Sequence, residues 1–396
     1  MLIIKNIDFL SVILRNNLNI FGQYELYSIM KVKFIGRNQT GFFAAVKTEV
    51  NDYFKTSGIS KNWNWEMALK SVLFLGLLVS LYGLIISNIF GIYTMIGLAV
   101  ILGMVMAFIG FNVCHDAIHG SYSSSRKTNK IFGMIFNVIG ANAYMWDIIH
   151  NKVHHTYTNI PGHDEDIEVA PGLVRLNPTD KRTAIMKFQQ YYAFFLYGLT
   201  SLSWVFRKDF KKFFQKKIGE TDNTNHPRVE YFNLFFYKIL YYAIFIVIPM
   251  IVMDLTWWQF LIGFFIMHFA EGLTLGLVFQ LAHVVEGPEF PEPDNEGTIE
   301  EVWAVFQMKT TANFARRSRI VTFFCGGLNY QIEHHLFPNI CHVHYPTISK
   351  IVKATAEKFG VPYHENRTFF GAIKSHYKTL KKFGRADFQP HPVSAQ

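Results

Sequence analysis

The chain has 396 residues, 50% of them hydrophobic and 17% charged, with 39 Phe, 19 Tyr, 7 Trp and a formal net charge of +9. That apolar bulk excludes a disordered or low-complexity chain. The basic balance would suggest nucleic acid in a soluble protein, but a membrane protein has a commoner reason to be basic, so the positions of the charges decide. Cys114, Cys325 and Cys341 are odd in number and form no CxxC, which argues against a disulfide framework or a cysteine zinc site.

In chain order, Lys5, Asp8 and Arg15 interrupt the first apolar run before it reaches the length of a signal-peptide core. Met30 opens a cleaner helical prelude, so residues 1–29 are expected to precede the true start of a cytosolic segment that ends at residue 67. From Ser71 to Val113 there is no Asp, Glu, Lys, Arg or His. Those residues would make roughly 65 Å of helix, twice the roughly 30 Å hydrocarbon core of a bilayer. Residues 68–113 therefore read as a transmembrane hairpin, with helices at Ala68 to Asn88 and Ile92 to Val113 and a turn at Ser87 to Gly91.

Residues 114–237 form a cytosolic and interfacial region. Its apolar stretches, Ile131 to Ile149 and Tyr191 to Phe206, are short and interrupted, and they read as interfacial helices; counting both as crossings gives six instead of four. Arg207 to Lys217 is a basic, aromatic skirt, read as a membrane-surface anchor, with an acidic head group or protein partner as the alternative. Residues 238–282 make a second hairpin, Ile239 to Met253 and Trp257 to Ala282, turning at Asp254-Leu255-Thr256 beside the interfacial anchors Trp257 and Trp258. Residues 283–396 form a cytosolic helical region containing the Pro-rich acidic loop Gly287 to Glu301, and the chain has no internal repeat. The expected fold is thus an all-α membrane protein: two hairpins, interfacial helices and a cytosolic helical cap.

Neither turn contains Lys or Arg. Nine of these residues lie up to Lys70, sixteen from Arg126 to Lys238 and thirteen from Lys309 onward, so all 38 share one side if both hairpins dip in and return. The positive-inside rule makes that side cytosolic, with both termini there, in a bacterial inner membrane or the endoplasmic reticulum.

Eight of the sixteen histidines form one pattern: His115 and His119 in HDAIH, His150, His154 and His155 in HNKVHH, His283 in QLAHVVE, and His334 and His335 in QIEHH. Histidines four apart share a helix face, and two of the four segments follow directly on hairpin ends, so all four segments are expected to converge at one depth as a metal centre. Neutral imidazole suits iron, zinc, copper or nickel, which leaves the metal open, while eight imidazoles suffice for two metals with positions left for substrate. Asp116, Asp147 and Glu333 beside the boxes are candidates to orient the imidazoles, as are Asp164, Glu165 and Asp166, unless GHDEDIE is a solvated acidic loop. His163, His226, His268, His342, His344, His364, His376 and His391 are assigned no role, with His342 and His344 the least secure because they follow the last box closely. His268 and Glu271, about one turn apart inside the fourth crossing, are expected to face the interior or pair, about 18 Å from the metal end.

HDAIHGS, HNKVHHTYTN and GGLNYQIEHHLFP resemble the membrane fatty-acid desaturases. The last string is similar to that of front-end desaturases, whose third box begins with Gln. The resemblance spans Met30 to the C-terminus. It implies a cytosol-facing di-iron centre that uses O2 and two electrons to remove two hydrogens from an acyl chain, leaving a cis double bond and water. By that resemblance the seven box histidines ligate iron, and His283 matches the extra histidine after the fourth crossing. Gln331 stands where many relatives carry histidine, and its amide could hold a water or orient a neighbour. The delta-5 or delta-6 position rests on this resemblance alone.

The HPGG haem motif of fused cytochrome b5 domains is absent, since His226-Pro227 and His391-Pro392 lack the glycines. A separate ferredoxin or cytochrome b5 is therefore implied, acting on a fatty acyl thioester or lipid, with no nucleic-acid partner. The rival enzyme is a di-iron membrane hydroxylase of an alkyl, acyl or carotenoid substrate, but the spelling of the boxes favours desaturation. A metal transporter would carry its ligands at mid-bilayer, whereas these lie at or beyond the helix ends. Neither the Glu-x-x-His of soluble di-iron bundles nor HExxH occurs.

Overall fold

The computed structural model describes residues 31–36, 41–167, 169–176 and 180–385; Met30 and the His391-Pro392 pair lie outside them. Among the described residues, four helices are long and apolar enough to cross a membrane: Trp65–Ile86, Ile92–Ile118, Arg228–Val252 and Trp257–His283. Local chemistry sets their ends. Asn64 caps the first span by accepting from the Met67 N–H at 3.1 Å, and Thr256 with Gln259 forms a capping box on the fourth. The far turns meet each other: the Asn88 amide donates to the Val252 carbonyl at 2.8 Å and accepts from the Asp254 N–H at 3.0 Å. Both hairpins therefore turn at the same end of the bundle.

Buried residues make up 44% and 39% of the apolar windows of the second and fourth spans, against 22% for the first and third. The second and fourth are thus the inner helices, and both carry a histidine in the last turn, His115 and His283. They approach closely at Gly103, where a Cβ would strike the Met267 carbonyl of the facing helix.

Three boundaries differ from the sequence reading. The third span begins at Arg228 instead of Ile239. Lys238, read as its polar edge, is a buried tie: its ammonium donates to the Gly140 carbonyl at 2.7 Å and the Trp204 carbonyl at 3.0 Å and pairs with Asp209 at 2.8 Å. The first span likewise starts at Trp65 instead of Ala68, and the second continues past Val113 to Ile118 through a π-helical turn, Gly110–Cys114.

The stretch read as Ile131 to Ile149 is two helices, Arg126–Val138 and Ala143–Tyr157, bent by 109°. Asparagines build the bend, with Asn142 accepting from the Met145 N–H at 2.8 Å and Asn137 from the Ala143 N–H at 2.9 Å. The second stretch is the helix Gln189–Gly198 followed by helical residues 200–213 along the fourth span. At the histidine end, Gly41–Ser57, Trp303–Thr310 and Tyr345–Phe359 share an apolar core that includes Phe42, Val46, Met308 and Ile348 and encloses the short helix Gln331–Leu336. A parallel pairing of Ala312–Phe314 with His364–Asn366 ties this cap together.

Candidate metal centre

Each histidine box sits on backbone that departs from a regular α-helix. The second span loosens into its π-turn and delivers His115 and His119. HNKVHH lies at the end of an eight-residue π-helix, Asp147–His154. A π-turn brings residues five apart together, so His150 and His155 face each other with Nε2 atoms 3.2 Å apart, and Trp146 stacks on the His150 ring at 4.2 Å. His283 is the last residue of the fourth span. The third box is turned inward by Gly326 and Gly327, with φ of 57° and 69°. A Cβ on Gly326 would meet the backbone of Phe111 and Asn112.

The imidazoles form two groups. His115, His119, His150 and His334 place ligand nitrogens within 4.8 Å of one another, and so do His154, His283 and His335. His155 lies between the groups, its ring 4.8 Å from His119, 4.5 Å from His334 and 4.4 Å from His335. The Nε2 atoms of His115, His119, His154, His283, His334 and His335 are buried with no hydrogen-bond partner. Unpaired buried polar atoms are rare and costly one at a time. Six in one place fit a bound cation.

On four of the rings Nδ1 is held. His150 Nδ1 bonds to Asp166 at 2.7 Å, His154 Nδ1 to Asp164 at 2.9 Å, His335 Nδ1 to the Gln307 side-chain oxygen Oε1 at 2.8 Å, and His283 Nδ1 to the Thr310 backbone carbonyl at 3.3 Å. A proton fixed at Nδ1 leaves the Nε2 lone pair free for a metal. Burial, followed by the neighbouring imidazoles, holds His119, His334 and His335 well below the usual histidine range, which keeps these rings neutral.

The candidate orienting carboxylates separate. Asp164 and Asp166 each hold an imidazole, so GHDEDIE is no solvated loop, while Glu165 pairs with Lys212. Asp116 accepts from His342 Nδ1 at 2.9 Å and lies 3.6 Å from His115 Nδ1. Asp147 bonds to Asn151, and Glu333 to Asn313 and Tyr363. Neither meets an imidazole, because the helix that carries each points it away from the rings. Burial pushes the Glu333 carboxyl up to about 7. Gln331 opens the helix of the third box, buried, with its side-chain nitrogen unpartnered. His342, given no role from sequence, bridges Asp116 to Lys70, whose ammonium is 3.0 Å from His342 Nε2.

Sequence reasoning missed Gln307 and Asn159. Asn159, with a φ of 61°, points its amide at the carbonyls of His283, Glu289 and Thr310 at 3.1–3.2 Å, joining the second box to the fourth span. Its place in the quoted HNKVHHTYTN string was the available signal.

Three small cavities form a row that reaches the first imidazole group at His115. One of about 40 Å³ reaches Lys208 and Thr200 and shares Trp204, Leu275 and Phe279 with a second of about 10 Å³, which touches His115. The second shares Gly110, Phe136, Trp204 and Leu275 with a third of about 10 Å³, bounded by Ser201 and Glu271. Together they trace a narrow, mostly apolar slot that passes His115.

The model of the fatty acid desaturase family matches residues 90–367, which contain all four histidine segments. The chain belongs to the fatty acid desaturase family. This desaturase is 35% identical over 342 residues to an sn-1 linoleoyl-lipid 6-desaturase of Arthrospira platensis, covering 86% of this chain and 92% of the relative. It is 34% identical over 358 residues to the protein of the same name from Synechocystis, covering 90% and 98%. With an acyl-lipid (8-3)-desaturase of Physcomitrium patens it shares 36% identity over 350 residues, 88% of this chain and 72% of the relative. The desaturase is an oxidoreductase and, with its four apolar spans, an integral membrane protein.

Proposed function

We propose that this enzyme is a front-end acyl-lipid desaturase, placing a cis double bond near the carboxyl end of an acyl chain carried on a membrane lipid. The names of its relatives support the lipid carrier and the delta-6 or delta-5 position. In this reading His115, His119, His150 and His334 hold one iron, His154, His283 and His335 the other, and His155 stands between them. The observation that carries the reading is the pair of buried groups of unpartnered imidazole nitrogens beside an apolar slot. When bound, the two irons supply the O2 chemistry that opens an unactivated C–H, which no side chain at ordinary pKa can do.

The protein contributes position. Trp204, Leu275, Phe136 and Phe279 line the slot, hold the chain beside His115 and exclude water. Asp164, Asp166 and Gln307 fix the tautomers of the imidazoles they touch. O2 takes two hydrogens from the chain, two protons, and two electrons from a separate ferredoxin or cytochrome b5, giving two waters. The metal end and both termini face the cytosol, a reading supported by the common end of the two Lys- and Arg-free turns.

The test is expression in a host fed defined fatty acids, with any new double bond located by mass spectrometry. Loss of two hydrogens at a position near the carboxyl end is expected. Gain of one oxygen would make the enzyme a hydroxylase, and an unchanged lipid profile from iron-loaded protein would remove the reading.

A further inference from the structure

At mid-membrane, where the slot ends, four polar side chains from three segments are joined. Ser201 donates to the Glu271 carboxylate at 2.5 Å and contacts His268 Nδ1 at 2.7 Å, and the Tyr241 hydroxyl meets His268 Nε2 at 2.8 Å. All four side chains are buried, none belongs to either imidazole group, and Ser201 and Glu271 face the last cavity of the slot. Intramembrane ionisable groups are costly and are kept where they have a task.

The quartet divides two spaces. On its metal side is the narrow slot. On its far side, one helical turn beyond Met106 and Glu271, Leu102 and Met267 line an apolar cavity of about 320 Å³ to which all four spans contribute. Met106, beside the quartet, precedes His115 by nine residues, or about 13 Å of helix.

We infer that the Ser201–His268–Glu271–Tyr241 quartet is the stop of the acyl slot: it sets how far the methyl end enters, and so which chain lengths place their reacting carbons beside the histidines. The inference rests on the proposal that the slot holds the acyl chain. An apolar side chain at this point would give way by changing rotamer, whereas a hydrogen-bonded network anchored on three segments holds its place unless several bonds break together. These are positioning residues, remote from the reacting atoms.

Glu271→Ala opens the partition while leaving the Ser201–His268 and His268–Tyr241 bonds in place. Val205→Ala lowers the same end of the slot without touching the network, since Val205 lines the last cavity. Cells expressing each variant are fed acyl chains that differ by two methylenes, and product lengths and double-bond positions are measured alongside the iron content of the purified protein. The expected result is a rise of about tenfold or more in conversion of the longer chain relative to the shorter, the scale at which pockets discriminate methylenes. Glu271→Gln, which keeps the length of the side chain, should restore the original preference. Wild-type length preference and bond position in iron-loaded Glu271→Ala and Val205→Ala would overturn the inference, and Val205→Ala decides alone if Glu271→Ala fails to accumulate. A wild-type enzyme that makes no double bond in any chain would instead defeat the underlying proposal, and the inference with it.

Discussion

Asp164→Asn isolates the contribution of one orienting carboxylate. Asp164 is buried, and one of its oxygens accepts both from His154 Nδ1 at 2.9 Å and from the Asn159 N–H at 2.9 Å, while the other accepts from the Asp166 N–H at 3.1 Å. An amide has a single acceptor oxygen and no charge, so it cannot serve all three donors and no longer raises the basicity of His154. Loss of such a partner typically weakens a metal site about 10- to 100-fold, or roughly 1.4–2.7 kcal/mol. The damage should fall on the group formed by His154, His283 and His335, because the other group contacts Asp166 instead. Graded chelation of the purified, detergent-solubilised protein, followed by metal analysis, should show one iron leaving at lower chelator concentration than in wild type, with the second unchanged and product formation lost with the first. Glu333→Gln, which also alters a buried carboxyl beside a box but touches no imidazole, should leave both steps where they were. If Asp164→Asn released both irons at the wild-type chelator concentrations, the assignment of Asp164 as a support for His154 would be wrong.

His154→Ala should abolish the new double bond while the protein still accumulates in membranes, because the side chain sits at a helix end away from the four-span core; wild-type turnover would contradict the ligand set. Gly110→Leu should block substrate without disturbing iron: a Cβ there already meets Phe136 at 3.6 Å and Leu275 at 4.0 Å, so a larger side chain fills the slot. Full iron content with at least a tenfold loss of product is the expected result, and retained product would show that the chain runs elsewhere. Gly103→Leu forces the two inner spans apart at the Met267 carbonyl. It should lower stability by about 1–3 kcal/mol, seen as a lower melting temperature in detergent.

Much of this architecture was legible because its physics is periodic or cumulative. A run from Ser71 to Val113 without a charge has few destinations other than a bilayer, and histidines repeated at helix ends in four segments select one convergent site. What escaped depended on pairing or on unusual backbone. Lys238 looked like the polar edge of a span because its partners, Asp209 and two carbonyls, are distant in sequence. The spacing of HNKVHH was read with α-helical geometry, under which His155 should have turned from His150; the π-helix brings them together. Adjacency also misled. Asp147 and Glu333 stand next to or within the boxes yet face away, whereas Asp164 and Asp166, ten or more residues from their imidazoles, fold back to hold them.

The two groups of imidazoles and the acidic loop account for each other. Asp116 and Asp164 are buried, and Asp166 is nearly so; burial holds His342 beside Asp116 and His150 beside Asp166 below the usual histidine range, while Asp164 raises His154. Carboxylates in such surroundings need a positive partner. Lys70 reaches only the Asp116 side, through His342, and Lys212 is taken up by Glu165, so the ion-pair partners of Asp164 and Asp166 among the described residues are imidazoles and neither a lysine nor an arginine. Divalent ions held at the free Nε2 atoms would supply that charge through the rings, with Nδ1–H bonded to carboxylate on one side and metal on the other. The same ions would satisfy the orphaned nitrogens. One occupant thus resolves two separate anomalies, an excess of buried negative charge and a deficit of hydrogen-bond partners. Acidic residues placed in a loop some ten residues after HNKVHH are on this account as much a part of the centre as the histidines themselves.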